Sequence, residues 1–226
     1  MAAKSICGTR NIQWTMTRIS KLDDKTREYY LYCGIKTSWH EKQLSDFTND
    51  DEALSIVKKY LSESADMRQK GIGLYLWGSN GTGKSHLMNC AFKELLHENN
   101  KVRVYSIDEV VDMFTSSWYS DEQKMELNNV LRNIDFLGID EFGKNVDADG
   151  KGNLAPLVKR VMESVIRYRV QMCKPMWFAS NTDPSCVKEV FSEDVASLLR
   201  EAVVPVCVRG EDYRKSIQKR NRRLLK

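Results

Sequence analysis

Five short apolar runs recur along the chain, at Leu74–Trp77, Val102–Ile107, Ile134–Asp140, Met176–Ser180 and Val203–Val208. None alternates strictly between apolar and polar, so each predicts a strand covered on both faces rather than a half-solvated one. Between them, His86–His97, Glu122–Asn133 and Leu157–Gln171 carry apolar residues at helical spacing. Strands alternating with helices predict an α/β domain built on a parallel sheet. Right-handed crossovers then bring the carboxyl ends of the strands to one rim, where ligands bind. A further helix is predicted from Ala53 to about Ser64, with Leu54, Val57 and Leu61 on one face and Asp50-Asp51-Glu52 at its start. Upstream the pattern changes. Ile12–Ile19 and Glu28–Ile35 are rich in Trp, Tyr, Thr and Ile and flank the polar Lys21–Lys25, which predicts a β-hairpin-like appendage. The expected organisation is therefore a small N-terminal appendage over 1–45, assigned to partner binding, and a main domain over 46–226.

Composition narrows the class. At 226 residues, 42% hydrophobic and 29% charged, the chain can bury one sizeable core and is too apolar for a disordered protein. No apolar run approaches the length of a bilayer crossing and Met1–Ser5 leads into no signal-peptide core, so a cytoplasmic protein without a membrane partner is expected. The six cysteines lack C-x-x-C spacing and suit a reducing compartment. Cys7, Cys33 and His40 form a conceivable zinc set, but without the closely paired ligands such sites use. Charge is uneven. Of a formal net +4, seven basic residues and no acidic one fall between Arg214 and Lys226, which leaves the first 213 residues at −3. Such a segment suits either a polyanion or a solvated helix end, where cations complement the helix dipole.

The densest chemistry lies in Gly78-Ser79-Asn80-Gly81-Thr82-Gly83-Lys84-Ser85, between a predicted strand and the helix that His86 continues. A loop this rich in glycine turns its N–H groups inward above a helix N-terminus, which forms a phosphate cradle. Gly78 through His86 are the expected nucleotide-binding residues, with Lys84 reaching the β- and γ-phosphates and the Ser85 hydroxyl on Mg²⁺. Phe136-Leu137-Gly138-Ile139 ends in Asp140-Glu141, 56 residues beyond Lys84. Asp140 is expected to hold Mg²⁺ with Ser85, and Glu141 to polarise the attacking water. That adjacent glutamate favours hydrolysis over transfer to a metabolite, since a small-molecule kinase must exclude water. Asn181 closes another apolar strand. Its amide can hold the lytic water and contact the γ-phosphate, or simply start a turn before Thr182-Asp183-Pro184. Asn145-x-Asp147-x-Asp149-Gly150 begins like a Ca²⁺ loop, but Pro156 stands where a bidentate Glu is required.

Taken together, Gly78–Ser85, Asp140-Glu141, Ser180-Asn181, Arg200 and Gly210-Glu211-Asp212-Tyr213-Arg214 resemble the AAA+ ATPases. Within them the chain is similar to the bacterial replicative-helicase loaders of the DnaC/DnaI type and the related transposition ATPase IstB, over roughly 45 to 215. Ser45-Asp46-Phe47, Gly73–Gly78 and Ile166-Arg167-Tyr168 add to the likeness. The resemblance implies a five-stranded parallel sheet in the order 5-1-4-3-2, with ATP and Mg²⁺ as cofactors. It also implies self-association into an ATP-dependent oligomer or spiral, and partners in a hexameric helicase and single-stranded DNA. Catalytic roles fall to Glu141, Asn181, Arg200 as an arginine finger supplied by a neighbouring copy, and Arg214 as a sensor-2 residue. The 18 residues after Val208 imply a reduced or missing helical lid. Two rivals stay open: an IstB-like transposition helper that prefers duplex DNA, and a nucleotide-gated adaptor that never hydrolyses.

Overall fold

The computed structural model describes residues 22–116, 120–143 and 156–224. Five parallel strands form one sheet: β1 (Gly73–Trp77), β2 (Val102–Ser106), β3 (Phe136–Phe142), β4 (Met176–Ser180) and β5 (Val203–Cys207). Their order is β2-β3-β4-β1-β5, which is 5-1-4-3-2 counted from the other edge. Both faces are covered, as the unbroken apolar runs require. Leu74, Leu76, Trp177 and Ala179 face a core shared with α2 (Asp51–Ser62) and α4 (Lys84–His97). Tyr75, Ile139, Met176 and Phe178 face a second core shared with α5 (Ile107–Ser116), α6 (Asp121–Asn133), α7 (Pro156–Gln171) and α9 (Glu193–Ala202). The short helices α3 (Ser64–Lys70) and α8 (Val187–Val190) complete these connections. No helix among the described residues is long and apolar enough to cross a membrane.

Parallel register aligns the strand ends. Ser106 pairs with Asp140, and Trp77 pairs with both Ser180 and Cys207. The β3–β4 register shifts between Ile139 and Phe142, a bulge next to the carboxylate pair. Behind the rim, Gly138 lets α4 approach the sheet: a Cβ there would meet the Phe92 ring at 3.1 Å and the Met88 sulfur at 3.3 Å. Among the described residues α10 (Tyr213–Leu224) follows β5.

The hairpin expected at the N-terminus is corrected at its second half. Glu28–Ile35 is not a strand, because α1 spans Asp24–Tyr32 and the chain then turns through Cys33-Gly34. Asp23 caps this helix by accepting from the Thr26 N–H at 2.6 Å. Of the tyrosines that favour a strand by propensity, Tyr30 is placed by tertiary packing instead, while Tyr29 and Tyr32 stay exposed. Tyr30, Cys33 and Ile35 are buried in the same core as Leu74 and Leu76, and the Tyr30 hydroxyl lies 3.0 Å from His97 Nε2. The Val104 N–H donates to the Cys33 carbonyl at 2.9 Å, so this segment covers part of the outer edge of β2. The first half of the expected hairpin, Ile12–Ile19, lies outside the described residues. Of the conceivable zinc ligands, Cys7 also lies outside them. The His40 Nε2 is 2.8 Å from the Ile35 carbonyl and the Cys33 thiol is 3.7 Å from Arg103 Nη1. The Asn145–Gly150 loop falls in the segment that is not described, and Pro156 opens α7.

Candidate functional site

Between β1 and α4 the chain runs through three glycines with φ of 146° at Gly78, 81° at Gly81 and 105° at Gly83, values that side chains rarely adopt. Space is equally exclusive. A Cβ on Gly81 would lie 1.8 Å from Asp212 Oδ1, and one on Gly83 would lie 2.6 Å from the Phe47 ring. Lys84 sits at the N-terminus of α4, buried, its ammonium donating to the carbonyls of Gly78 at 2.8 Å and Ser79 at 2.7 Å. Burial pushes its pKa down and nearby Asp140 opposes that shift. The Thr82 hydroxyl closes the loop on the Ser79 carbonyl at 3.0 Å.

The Ser85 hydroxyl donates to Asp140 Oδ1 at 3.0 Å. Two hard oxygen donors at the head of a phosphate-type loop fit a small divalent cation such as Mg²⁺. Burial pushes the Asp140 carboxyl pKa up, while the bonds from Ser85 and from the Glu141 N–H, at 2.9 Å, pull it back. Glu141 itself has φ 56°, in the left-handed region, and an exposed side chain. From β4, the Ser180 hydroxyl donates to the Phe142 carbonyl at 2.5 Å and accepts from the Thr182 N–H at 2.9 Å. These bonds brace the strand end that presents Asn181, whose amide donates to Asn80 Oδ1 at 2.8 Å across the cavity mouth.

A cavity of about 880 Å³ joins these parts, lined by Asn80 to His86, Asp140, Glu141, Asn181 and Arg214 among others. The volume suits a nucleotide-sized ligand. Gly78 and Ser79 are not among its lining residues and contribute the carbonyls that receive Lys84. The motifs did not announce the opposite wall. His86 stacks on Trp39 with ring centroids 5.7 Å apart and meets Phe47 edge-on at 5.9 Å. Burial pushes the His86 pKa down, so the ring is neutral at pH 7 and offers an aromatic face rather than a charge. Asn49 was equally hidden: its amide donates to the carbonyls of Thr82 at 3.1 Å and Glu211 at 3.0 Å, binding the loop to the root of α10. His86 was itself an expected binding residue, and Ser45-Asp46-Phe47 and Gly210–Arg214 hinted at its surroundings.

One expected residue stays apart. Arg200 is exposed on α9, pairs with Glu193 of its own chain at 2.8 Å and does not line the cavity. A role for it in this chemistry requires the cavity of another copy.

A model of the family described as AFG1-like ATPase matches residues 36–220. The replicative helicase loader DnaI of Bacillus subtilis (strain 168) is 26% identical over 158 residues, 64% of this chain and 48% of DnaI. The chromosomal replication initiator protein DnaA of Streptococcus agalactiae serotype V is 27% identical over 125 residues, 54% of this chain and 25% of DnaA. The chain thus spans about half or less of the length of these relatives. Among solved structures, the DnaC helicase loader matches with a TM-score of 0.68 at 16% identity, covering 77% of this chain and 100% of the loader. DnaA bound to AMPPCP and single-stranded DNA matches with a TM-score of 0.61 at 17% identity, covering 84% of this chain and 56% of DnaA. At such identities the structures share the fold, which agrees with the resemblance read from the motifs.

Proposed function

The chain belongs to the AFG1-like ATPase family, and from that premise we propose that it hydrolyses ATP as the loader of a hexameric replicative helicase onto single-stranded DNA. The observation that carries the chemical part is the meeting of Lys84, the Ser85–Asp140 pair and the Asn80–Asn181 pair around one cavity. The partners are supported by similarity to DnaI, a replicative helicase loader, and by the fold shared with a DnaA bound to single-stranded DNA.

Each residue then has a task. The loop N–H groups from Asn80 to Lys84 and the α4 dipole receive the phosphates, and Lys84 exchanges its two loop carbonyls for phosphate oxygens. Ser85 and Asp140 would hold Mg²⁺, which would supply charge neutralisation to the phosphates. Glu141, at the end of the bulged strand, takes the proton of the attacking water. Asn181 orients that water from the next strand. Trp39, Phe47 and His86 provide a face for the base. Arg214 reaches the phosphates from α10, and Arg200 serves the site of a neighbouring copy, so turnover waits for assembly. Residues 1–45 contribute the helicase contact.

The test measures ATP turnover with and without single-stranded DNA, alongside binding of a non-hydrolysable analogue and capture of a hexameric helicase. Glu141→Gln is expected to bind the analogue like the parent while turnover falls by about 100-fold or more. Lys84→Ala loses binding. A parent protein that binds ATP but never turns it over, with DNA and helicase present, would make it an adaptor rather than an ATPase.

A further inference from the structure

We propose that α10 is a contact surface for the phosphodiester backbone of DNA, mechanically joined to the nucleotide loop. This rests on the DNA-associated ATPase reading above and names the surface involved. Between Tyr213 and Leu224 the helix carries Arg214, Lys215, Lys219, Arg220, Arg222 and Arg223 and no acidic residue. Of its described side chains only Ile217 is half-buried, turned to the cavity, while Arg214, Lys215, Gln218, Asn221, Arg222 and Arg223 are exposed. Among the described residues no ion pair engages Lys215, Arg222 or Arg223.

Such a helix is poorly supported by its own chain. Twelve residues is near the lower limit for a helix without packing. The segment also holds no acidic residue to offset its cations. A row of negative charges would offset both. An anionic membrane is a poor match, because surface binding needs an apolar face and, among the described side chains of α10, the apolar Tyr213 and Ile217 both line the cavity. Evenly spaced phosphates match a helix that offers cations over roughly 14 Å of its length.

The root of α10 is what makes this more than a sticky surface. The Tyr213 N–H donates to the Gly81 carbonyl at 3.0 Å, and the Arg214 N–H donates to Asp212 Oδ1 at 3.0 Å. That same Asp212 oxygen occupies the place of a Gly81 Cβ, at 1.8 Å. Asn49 binds loop and root together from a third direction. A displacement of α10 therefore displaces the loop that holds the phosphates. By linkage, whatever factor DNA on α10 exerts on nucleotide affinity, nucleotide in the cavity exerts on DNA affinity.

The experiment uses the full chain and fluorescence anisotropy of a labelled oligo(dT) and a duplex of equal length, across a series of salt concentrations. The triple variant Lys215→Gln/Arg222→Gln/Arg223→Gln is expected to bind at least about 10-fold more weakly, with a log–log salt slope on the single strand shallower by about 2. The charge-preserving Lys215→Arg/Arg222→Lys/Arg223→Lys retains both. Thermal unfolding and analogue affinity report whether the neutral variant is folded. Independently, photocrosslinking of bromodeoxyuridine DNA to the parent protein should map to peptides from 213–226. Nucleotide analogue and DNA should each change the other's affinity by about fivefold or more. Preference for strand or duplex identifies which source supplies the same phosphate chemistry. Unchanged affinity and slope in a folded neutral variant, crosslinks elsewhere, or tighter binding of poly-glutamate than of DNA would overturn the proposal. Intact ATP turnover and helicase capture in that event would leave the loader reading standing, whereas their loss with DNA binding preserved would overturn that reading alone.

Discussion

Glu141 combines a carboxylate beside the phosphate loop with a backbone that L-residues avoid. Its φ of 56° lies at the bulge between Ile139 and Phe142, and its N–H is used by Asp140 at 2.9 Å. The bulge lets two successive carboxylates do different things: Asp140 turns inward to Ser85 while Glu141 faces the opening. A non-glycine residue in this region costs roughly 1 kcal/mol. Glu141→Gly should therefore raise the unfolding midpoint of the nucleotide-free protein by an amount equivalent to about 1 kcal/mol, while turnover is lost. Glu141→Ala should lose turnover without that gain. Thermal unfolding of the two variants beside the parent checks this, and equal midpoints for Gly and Ala would show that the backbone carries no strain.

At the scale of elements, α4 does two jobs from its two ends. Its first turn presents Lys84, Ser85 and His86 to the cavity, and two turns later Lys93 holds the wall in place. The buried Lys93 ammonium donates to the carbonyls of Trp39 at 2.7 Å, His40 at 3.1 Å and Lys42. Burial pushes its pKa down, and no full countercharge sits on those carbonyls. Replacing it with Met leaves three carbonyls without their donor, a loss of roughly 3 kcal/mol. Because Trp39 and Lys42 line the cavity, Lys93→Met should also weaken ATP-analogue binding, by about 10-fold, equivalent to 1.4 kcal/mol. The turnover rate at saturating ATP should change far less, since no reacting atom is touched. Analogue titration and saturation kinetics separate these effects; equal affinity in parent and variant would mean the wall does not bind the base. Arg169 is the counterpart under the other core. Fully buried in α7, it donates to the carbonyls of Leu131, Ile134, Asp135 and Pro175 at 2.8 to 3.2 Å, binding the entry of β3 to that of β4.

For the whole molecule, the issue is whether residues 22–47 are an attachment or part of the body. Cys33 and Cys90 are buried in one core that joins α1, α4 and the sheet. Burial raises both thiols, Cys90 to about 11, whereas Cys173 is exposed. Reactive thiolate is thus scarce and covered at the two core positions. Alkylation at pH 8 followed by peptide mapping should label Cys173 first among the described cysteines, with Cys33 and Cys90 reacting only as the fold opens. Labelling of Cys33 as fast as Cys173 would show that the N-terminal segment leaves the core readily.

Contiguous chemistry was legible along the chain. The glycines, Lys84 and Ser85 lie in one loop and the start of its helix, so their spacing carries their geometry, and Asp140-Glu141 at the end of an apolar run follows from strand direction. The family resemblance supplied the sheet order. Much else depended on residues far apart in sequence. Tyr30 against His97 made a helix of a segment with strand propensity, because packing outweighs local preference. Trp39 against His86, Lys93 beneath residues 39–42, and Asp212 against Gly81 leave no mark in spacing, since each partner is unremarkable alone and becomes a wall, a clamp or a hinge only when folding closes the distance. Local covalent pattern determined where the glycine loop and the carboxylate pair lie; long-range packing decided what surrounds them.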